Sequence, residues 1–319
     1  MKVLVTGANG FTGSHLVREL ENRGYQVVGF VRPSSDLSRL ENCSLALVKG
    51  DLCDRAILEK AMSGVDWVFH TAAYVELGLV NAEAMSRVNI EGTQTVMEAA
   101  QAMGVSKIVY CSTIGVLGDT QGRVVDETFT REQEGFSSAY DWTKYEAQAI
   151  VDQMAQQGLP VVSVLPSGIL GADDPHFGQI VKLFKQGKLK LWPGRDRVTG
   201  VVHVDDLVAA MIQAAQIGQV GEHYIISAGE LSIGEMFDYL SEKTGVSPPR
   251  EAPQWLIRML GNVLTPMGHL LNWQPPLSRE RIHYIYDRCV RVDATKAKTQ
   301  LNWQPRSVER ILSELLNQS

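Results

Sequence analysis

The chain lacks any run of about eighteen uninterrupted apolar residues, so no segment reads as a membrane-spanning helix. The nearest stretch, WLIRMLGNVLTPMGHLL from Trp255 to Leu271, is broken by Arg258, Asn262, Pro266 and His269. It also lacks the Lys/Arg-rich polar face of a helix that rests on a membrane, and is expected to act as a lid or packing helix of a smaller lobe. Cysteine is scarce. Cys43, Cys53, Cys111 and Cys289 show neither close pairing nor CxxC spacing, which excludes a disulfide framework or zinc ribbon and fits a reducing, cytoplasmic setting. There is no excess of positive charge: 30 Lys and Arg against 36 Asp and Glu give a formal charge of −6, and no global basic field for nucleic acid. His15, His70, His176, His203, His223, His269 and His283 are scattered without ligand spacing, so no metal site is expected. The opening MKVLVTGANG is a short β-rich run that soon reaches glycine, unlike the apolar core of an export signal.

What is present is ordinary globular composition: 319 residues, 45% hydrophobic and 21% charged, enough for one large α/β unit or two lobes. Six β-branched runs, at 2–6, 26–31, 45–49, 67–72, 107–112 and 161–166, are apolar on both faces, as strands of a buried parallel sheet are. Helical patterns separate them at about 12–22, 54–62, 82–103 and 139–157. The βαβ rhythm predicts a doubly wound α/β fold with ligands at the carboxyl ends of the strands. After Pro166 the rhythm changes to turn-rich pieces such as GADDPHFG and WPGRD, and later to helices separated by proline pairs. We therefore expect a dinucleotide-binding domain from 1–168 and 200–228, and a smaller, mainly helical C-terminal substrate lobe from 169–199 and 229–319.

The strongest local signal is TGANGFTG, in which Gly7, Gly10 and Gly13 follow the first strand and, with Phe11 and Thr12, open the first helix. Glycine lets the backbone approach a pyrophosphate while the helix N-terminus supplies free N–H groups, the Rossmann arrangement. At the end of the second strand, where an NAD site places Asp or Glu, this chain has Arg32. Its guanidinium could pair with the 2′-phosphate of NADP, helped by Ser34 or Ser35, while nearby Asp36 leaves NAD use open. In GDLCD, Asp51 and Leu52 fall where the adenine would rest, and Asp54 is placed to cap the next helix. Tyr140 and Lys144 are four residues apart on one helical face. An adjacent ammonium and a cationic nicotinamide would favour the phenolate of a tyrosine that could then shuttle a proton. Ser112 and Thr113 end the fifth strand with hydroxyls able to orient the same substrate oxygen.

TGANGFTG, GDLCD, FHTAA, VNIEGT, CSTIGVLG, YDWTK, LPSGILG and VHVDDL occur in the order of the extended short-chain dehydrogenase/reductases, which the chain resembles over nearly its whole length. FVRPSSD and the C-terminal part look most like the dihydroflavonol reductase-like group, which includes hopanoid-associated sugar epimerase-like proteins. The resemblance implies roles. Thr113, five residues before Gly118, takes the hydroxyl position, where many members carry Ser. Tyr140 becomes the general acid-base, and Lys144 lowers its pKa and holds the nicotinamide ribose. Asn89 of VNIEGT resembles an asparagine near the active site. Ala72 and Ala73 line the cofactor path, Pro166 to Gly168 lie beside the nicotinamide, and His70 is a packed strand histidine. A homodimer could follow from the same resemblance.

The expected activity is hydride transfer, with NADP, to or from a carbonyl or alcohol of a small, apolar substrate. The alternatives are a nucleotide-sugar epimerase or dehydratase using transient hydride transfer, and a non-catalytic cofactor-binding regulator. Sugar-nucleotide epimerases commonly carry an arginine for the diphosphate four residues before the VHVDD-like histidine; here that residue is Thr199, with Arg195 and Arg197 as the nearest substitutes.

Overall fold

The computed structural model describes residues 1–171, 173–174 and 177–318, apart from the side chain of Gln318; His176 and part of the GADDPHFG turn lie outside the described residues. The strands are β1 (Lys2–Thr6), β2 (Gln26–Val31), β3 (Ala46–Lys49), β4 (Trp67–His70), β5 (Lys107–Cys111), β6 (Val124–Val125), β7 (Val161–Pro166), β8 (Gly168–Leu170), β9 (Leu191–Trp192), β10 (Val198–His203), β11 (His223–Ile226), β12 (Gly229–Ser232), β13 (Arg250–Glu251) and β14 (Arg291–Val292). Seven of them form one parallel sheet in the order β11-β7-β5-β4-β1-β2-β3. This is the doubly wound arrangement, in which the strand order reverses beside β1 and leaves a crevice at the carboxyl edge.

Alternation along β1 shows why its apolar run is continuous. Val3 and Val5 pack into one core cluster and Leu4 into a second on the other face of the sheet. The expectation of burial on both faces fails at β3, where Ala46, Leu47 and Lys49 are exposed because this strand is the sheet's edge.

The helices are α1 (Phe11–Asn22), α2 (Arg55–Ala61), α3 (Ala82–Ser86), α4 (Gly92–Ala102), α5 (Ala139–Gln156), α6 (Phe177–Lys185), α7 (Val204–Ile217), α8 (Ile233–Thr244), α9 (Gln254–Leu271), α10 (Arg279–Tyr286), α11 (Thr295–Gln300) and α12 (Val308–Gln318). Asp54 caps α2 by accepting from the Ile57 N–H. The single helix expected over 82–103 is instead α3 and α4 joined by a π-turn at Arg87–Glu91. Such one-turn insertions re-aim a side chain at a functional site, and here the side chain at the centre is Asn89.

Strand β10 pairs with β8 and β12 in a small separate sheet, and within 200–228 only β11 adds to the central one. Val202 faces the main core, while Val201 joins a third cluster with Leu170, Phe184, Phe237 and Ile311. One strand thus spans both cores. Helix α9 packs through Ile257, Gly261 and Gly268, and a Cβ at Gly261 would strike Ile282 of α10 at 2.2 Å. Its opposite side leaves Trp255, Met259, Val263, Met267 and Leu270 exposed. Among the described residues, no helix is long and apolar enough to cross a membrane.

Candidate functional site

The glycine turn is fixed by backbone approach. Gly7 has φ +67°, and a Cβ there would lie 2.8 Å from the Ala72 Cα; a Cβ on Gly13 would lie 2.1 Å from the Gly7 carbonyl oxygen. The turn after β1, the first turn of α1 and the strand end carrying Ala72 and Ala73 therefore interlock with no room for side chains. Gly10 is the N-cap of α1 and supplies no side-chain cap. The N–H groups of Phe11, Thr12 and Gly13 point from an uncapped helix N-terminus, a cradle suited to an anionic diphosphate.

At the rim Arg32 is exposed, and its guanidinium makes no hydrogen bond among the described residues. The Asp36 carboxylate is turned to its own loop, accepting from the Ser38 N–H and hydroxyl at 3.0 Å each, and these bonds hold its pKa below the usual range. A second cation, Arg39, was not evident from sequence: its guanidinium lies 5.7 Å from the Phe11 ring centroid and donates to the Asp173 carbonyl. Asp51 accepts from the Cys53 N–H at 2.9 Å and pairs with Arg87 at 2.7 Å. Leu52 is buried against Gly92.

Ser138 caps α5 by accepting from the Asp141 N–H, which places Tyr140 in the first turn and Lys144 one turn on. The Lys144 ammonium is buried and donates to the Tyr110 hydroxyl and the Cys111 carbonyl, both at 2.9 Å; burial pulls its pKa down to about 8. Burial first, then Tyr284, Cys111, Asp141 and Tyr110, push the Tyr140 phenol well above its ordinary value. Thr113 is the N-cap of a short 3-10 turn at Ile114–Leu117; its Oγ1 accepts from the Gly115 N–H at 3.1 Å, which leaves the hydroxyl proton free to donate. The buried Ser112 Oγ has no hydrogen-bond partner among the described residues. His70 bridges the Thr6 and Thr93 hydroxyls at 2.7 and 3.0 Å, and burial drops its pKa to about 3, so it is a neutral packed side chain. Pro166 ends β7, and Gly168 lies close enough to β10 that a Cβ would approach the Gly200 carbonyl at 3.1 Å.

Asn89 is brought near Tyr140 but is fully engaged. Its carbonyl accepts from the Tyr74 N–H, and its amide donates to the Tyr74 carbonyl and to the Thr143 hydroxyl, which in turn donates to the Tyr140 carbonyl. It acts through the chain it holds. Sequence reasoning missed Tyr110, Asp141, Tyr284 and Arg288. Tyr110 had a signal, a hydroxyl within an otherwise apolar strand. Arg288 had none, being far along the chain from the helix it meets: its Nε lies 3.4 Å from the Asp141 carboxylate, with both side chains buried.

The family model described as NAD dependent epimerase/dehydratase family matches residues 3–227. A putative dihydroflavonol 4-reductase of Synechocystis is 31% identical over 98% of this chain and 93% of its own. Sterol demethylase protein B of Methylococcus capsulatus is 30% identical over 98% and 97%. Among solved structures, MoeE5 in complex with UDP-glucose and NAD superposes with a TM-score of 0.79 at 25% identity, over 100% of this chain and 98% of that one. With a glycine cradle, a Tyr140/Lys144 helix and a doubly wound sheet in place, the chain belongs to the NAD-dependent epimerase/dehydratase family of extended short-chain dehydrogenase/reductases and is an NAD(P)-dependent oxidoreductase.

Proposed function

We propose that this protein is an NADP-dependent reductase acting on the carbonyl, or the corresponding alcohol, of a small and mainly apolar substrate. The observation that carries the reading is the Tyr140 phenol one turn from the buried Lys144 ammonium, with the free Thr113 hydroxyl proton on a turn packed against the same helix. A bound nicotinamide cofactor supplies or accepts the hydride. Tyr140 gives its proton to the substrate oxygen, and Thr113 donates a hydrogen bond to that oxygen as charge develops. Lys144 serves as the cation for the ribose and steadies the phenol. Asn89 positions the segment at Tyr74 and the start of α5.

The uncapped N-terminus of α1 and the unpartnered Ser112 Oγ fit a dinucleotide lying along the strand ends. Gly7, Gly10, Phe11, Thr12 and Gly13 cradle its diphosphate. Arg32 takes the 2′-phosphate, since the Asp36 carboxylate is turned toward Ser38 in its own loop. Asp51 and Leu52 flank the adenine, and Ala72, Ala73, Pro166 and Gly168 line the way to the nicotinamide. In this reading 1–168 with 200–228 bind the cofactor, and 169–199 with 229–319 choose the substrate.

Epimerisation of a sugar nucleotide is the second reading, favoured by the likeness to a structure that holds UDP-glucose. Against it, Thr199 stands where an arginine is needed, and the substitute Arg195 is already bound to Asp238 and to the Pro249 carbonyl. The names of the relatives also point to apolar substrates. NADPH oxidation across a panel of aromatic and terpenoid carbonyl compounds, beside calorimetry with UDP and UDP-glucose, separates the two. Turnover of an apolar carbonyl without UDP binding supports the reductase; micromolar UDP binding overturns it.

A further inference from the structure

The residue after Tyr140 carries a buried charge that the proton-transfer machinery does not use. Asp141 faces Arg288 across the lobe boundary, its Oδ2 3.4 Å from the Arg288 Nε. The Asp141 Oδ1 is buried without a hydrogen-bond partner among the described residues. The pair is also wedged against the turn that carries Thr113: a Cβ on Gly115 would lie 2.7 Å from the Asp141 Oδ1 and 2.9 Å from an Arg288 terminal nitrogen. The guanidinium rests 4.5 Å from the ring centroid of Tyr284.

We propose that Asp141 and Arg288 form an interlobe positioning pair, which holds the Tyr140 end of α5 against the Thr113 turn and sets a balanced pair of charges beside the phenol. The proposal rests on Tyr140 being the proton donor. A buried ion pair of this kind adds little net stability compared with apolar packing, whereas removing one member leaves an uncompensated charge. That asymmetry gives each partner an effect of opposite sign on Tyr140.

The groups whose charge bears on the phenol are Asp141 on its own helix, Tyr110 and Cys111 on β5, Tyr284 on α10 and Arg288 beyond it, while the Lys144 ammonium one turn on is bonded to Tyr110 and the Cys111 carbonyl. Burial works against the charge of Arg288, but Tyr284, Asp141 and Tyr140 outweigh it, and the guanidinium stays protonated. Burial pushes the Asp141 carboxyl up, while Arg288 and Arg131 oppose that rise. Arg288 therefore favours the phenolate of Tyr140 and Asp141 opposes it.

The test is an ultraviolet titration of tyrosinate with NADP⁺ bound, taken as the difference from Tyr140→Phe so that only Tyr140 is read. Arg288→Met should raise the midpoint by on the order of one pH unit and Asp141→Asn should lower it by a similar amount. The double variant should return close to the starting value, and Arg288→Lys should stay near it. A merely structural pair would move both single variants the same way or neither, and either result overturns the proposal. If Arg288→Met does not fold, Asp141→Asn and the neutral double variant still decide. Activity of Tyr140→Phe tests the underlying reading separately, because an active Tyr140→Phe sinks the proton-donor assignment whatever the titration gives.

Discussion

Asn89 clamps the main chain of Tyr74 from both sides, accepting from its N–H at 2.7 Å and donating to its carbonyl at 3.0 Å. The segment after β4 has few regular hydrogen bonds of its own, and this side chain substitutes for them. Asn89→Leu leaves both Tyr74 groups and the Thr143 hydroxyl without that partner. Urea denaturation should show a loss of about 2–4 kcal/mol, and hydrogen exchange should rise in residues 72–80 ahead of the central sheet. Exchange that rises evenly over the whole chain would remove the clamp from the argument.

Gly13→Ala is expected to be among the most damaging single-methyl changes. Its new Cβ meets a backbone oxygen, which cannot rotate away, so α1 must separate from β1. We expect a loss of at least about 3 kcal/mol and failure to retain NADP(H). Gly178→Ala, in α6, meets nothing within 4 Å among the described residues and should be neutral or slightly stabilising. Thermal melts of the two variants side by side give the comparison.

Arg32→Ala should weaken NADPH by about 1–3 kcal/mol and leave NADH almost unchanged. Fluorescence titration of both cofactors measures the ratio. Arg39, beside Phe11, is a second cation in reach of the same rim, so Arg32→Ala/Arg39→Ala should lose more than Arg32→Ala alone. Equal losses for the two cofactors would take Arg32 out of the selectivity argument.

Lys144 gives a pH dependence whose direction follows from its lowered pKa. The unfolded chain holds this proton up to about 10.4, whereas the folded chain gives it up near 8. Below about 8 both states are protonated and burial of the ammonium costs stability in full; between 8 and the unfolded value that cost disappears as pH rises. Lys144→Met should therefore be more stable than the parent at pH 7, by on the order of 2 kcal/mol after the lost hydrogen bonds. The advantage should fall away by pH 10. An advantage that stays constant across this range would contradict the assignment. The same variant should lose turnover.

Much of the fold was legible because parallel strands buried on both faces are written as continuous apolar runs, and because Gly7, Gly10 and Gly13 follow one of them directly. The edge position of β3 was not, since LALVK looks the same whether one neighbour or two flank it. The departure of β10 from the central sheet was equally hidden: Val201 and Val202 face different cores, and a β-branched run does not say which. In the site, Tyr140 and Lys144 stood out by type and spacing, and the family resemblance singled out Thr113 over Ser112. The upward shift of the Tyr140 phenol did not stand out, because it depends on burial and on Tyr284 and Tyr110, which come from other elements. Arg288 was invisible for the same reason, since a buried ion pair across a long loop leaves no period in sequence.

The π-turn at Arg87–Glu91 makes chain length a constraint in its own right. One extra residue inside a helix rotates everything before it by about 100° relative to everything after it. Between α3 and α4 that rotation turns Asn89 toward Tyr74 while α4 keeps its packing on the sheet. A point substitution here keeps the helical register, but a single-residue deletion would let the helix heal into a regular one and swing α3 away from α5. Loop-grafting or chimera-building on this scaffold must therefore carry residues 82–102 as one indivisible block, although their composition alone would pass for any amphipathic helix.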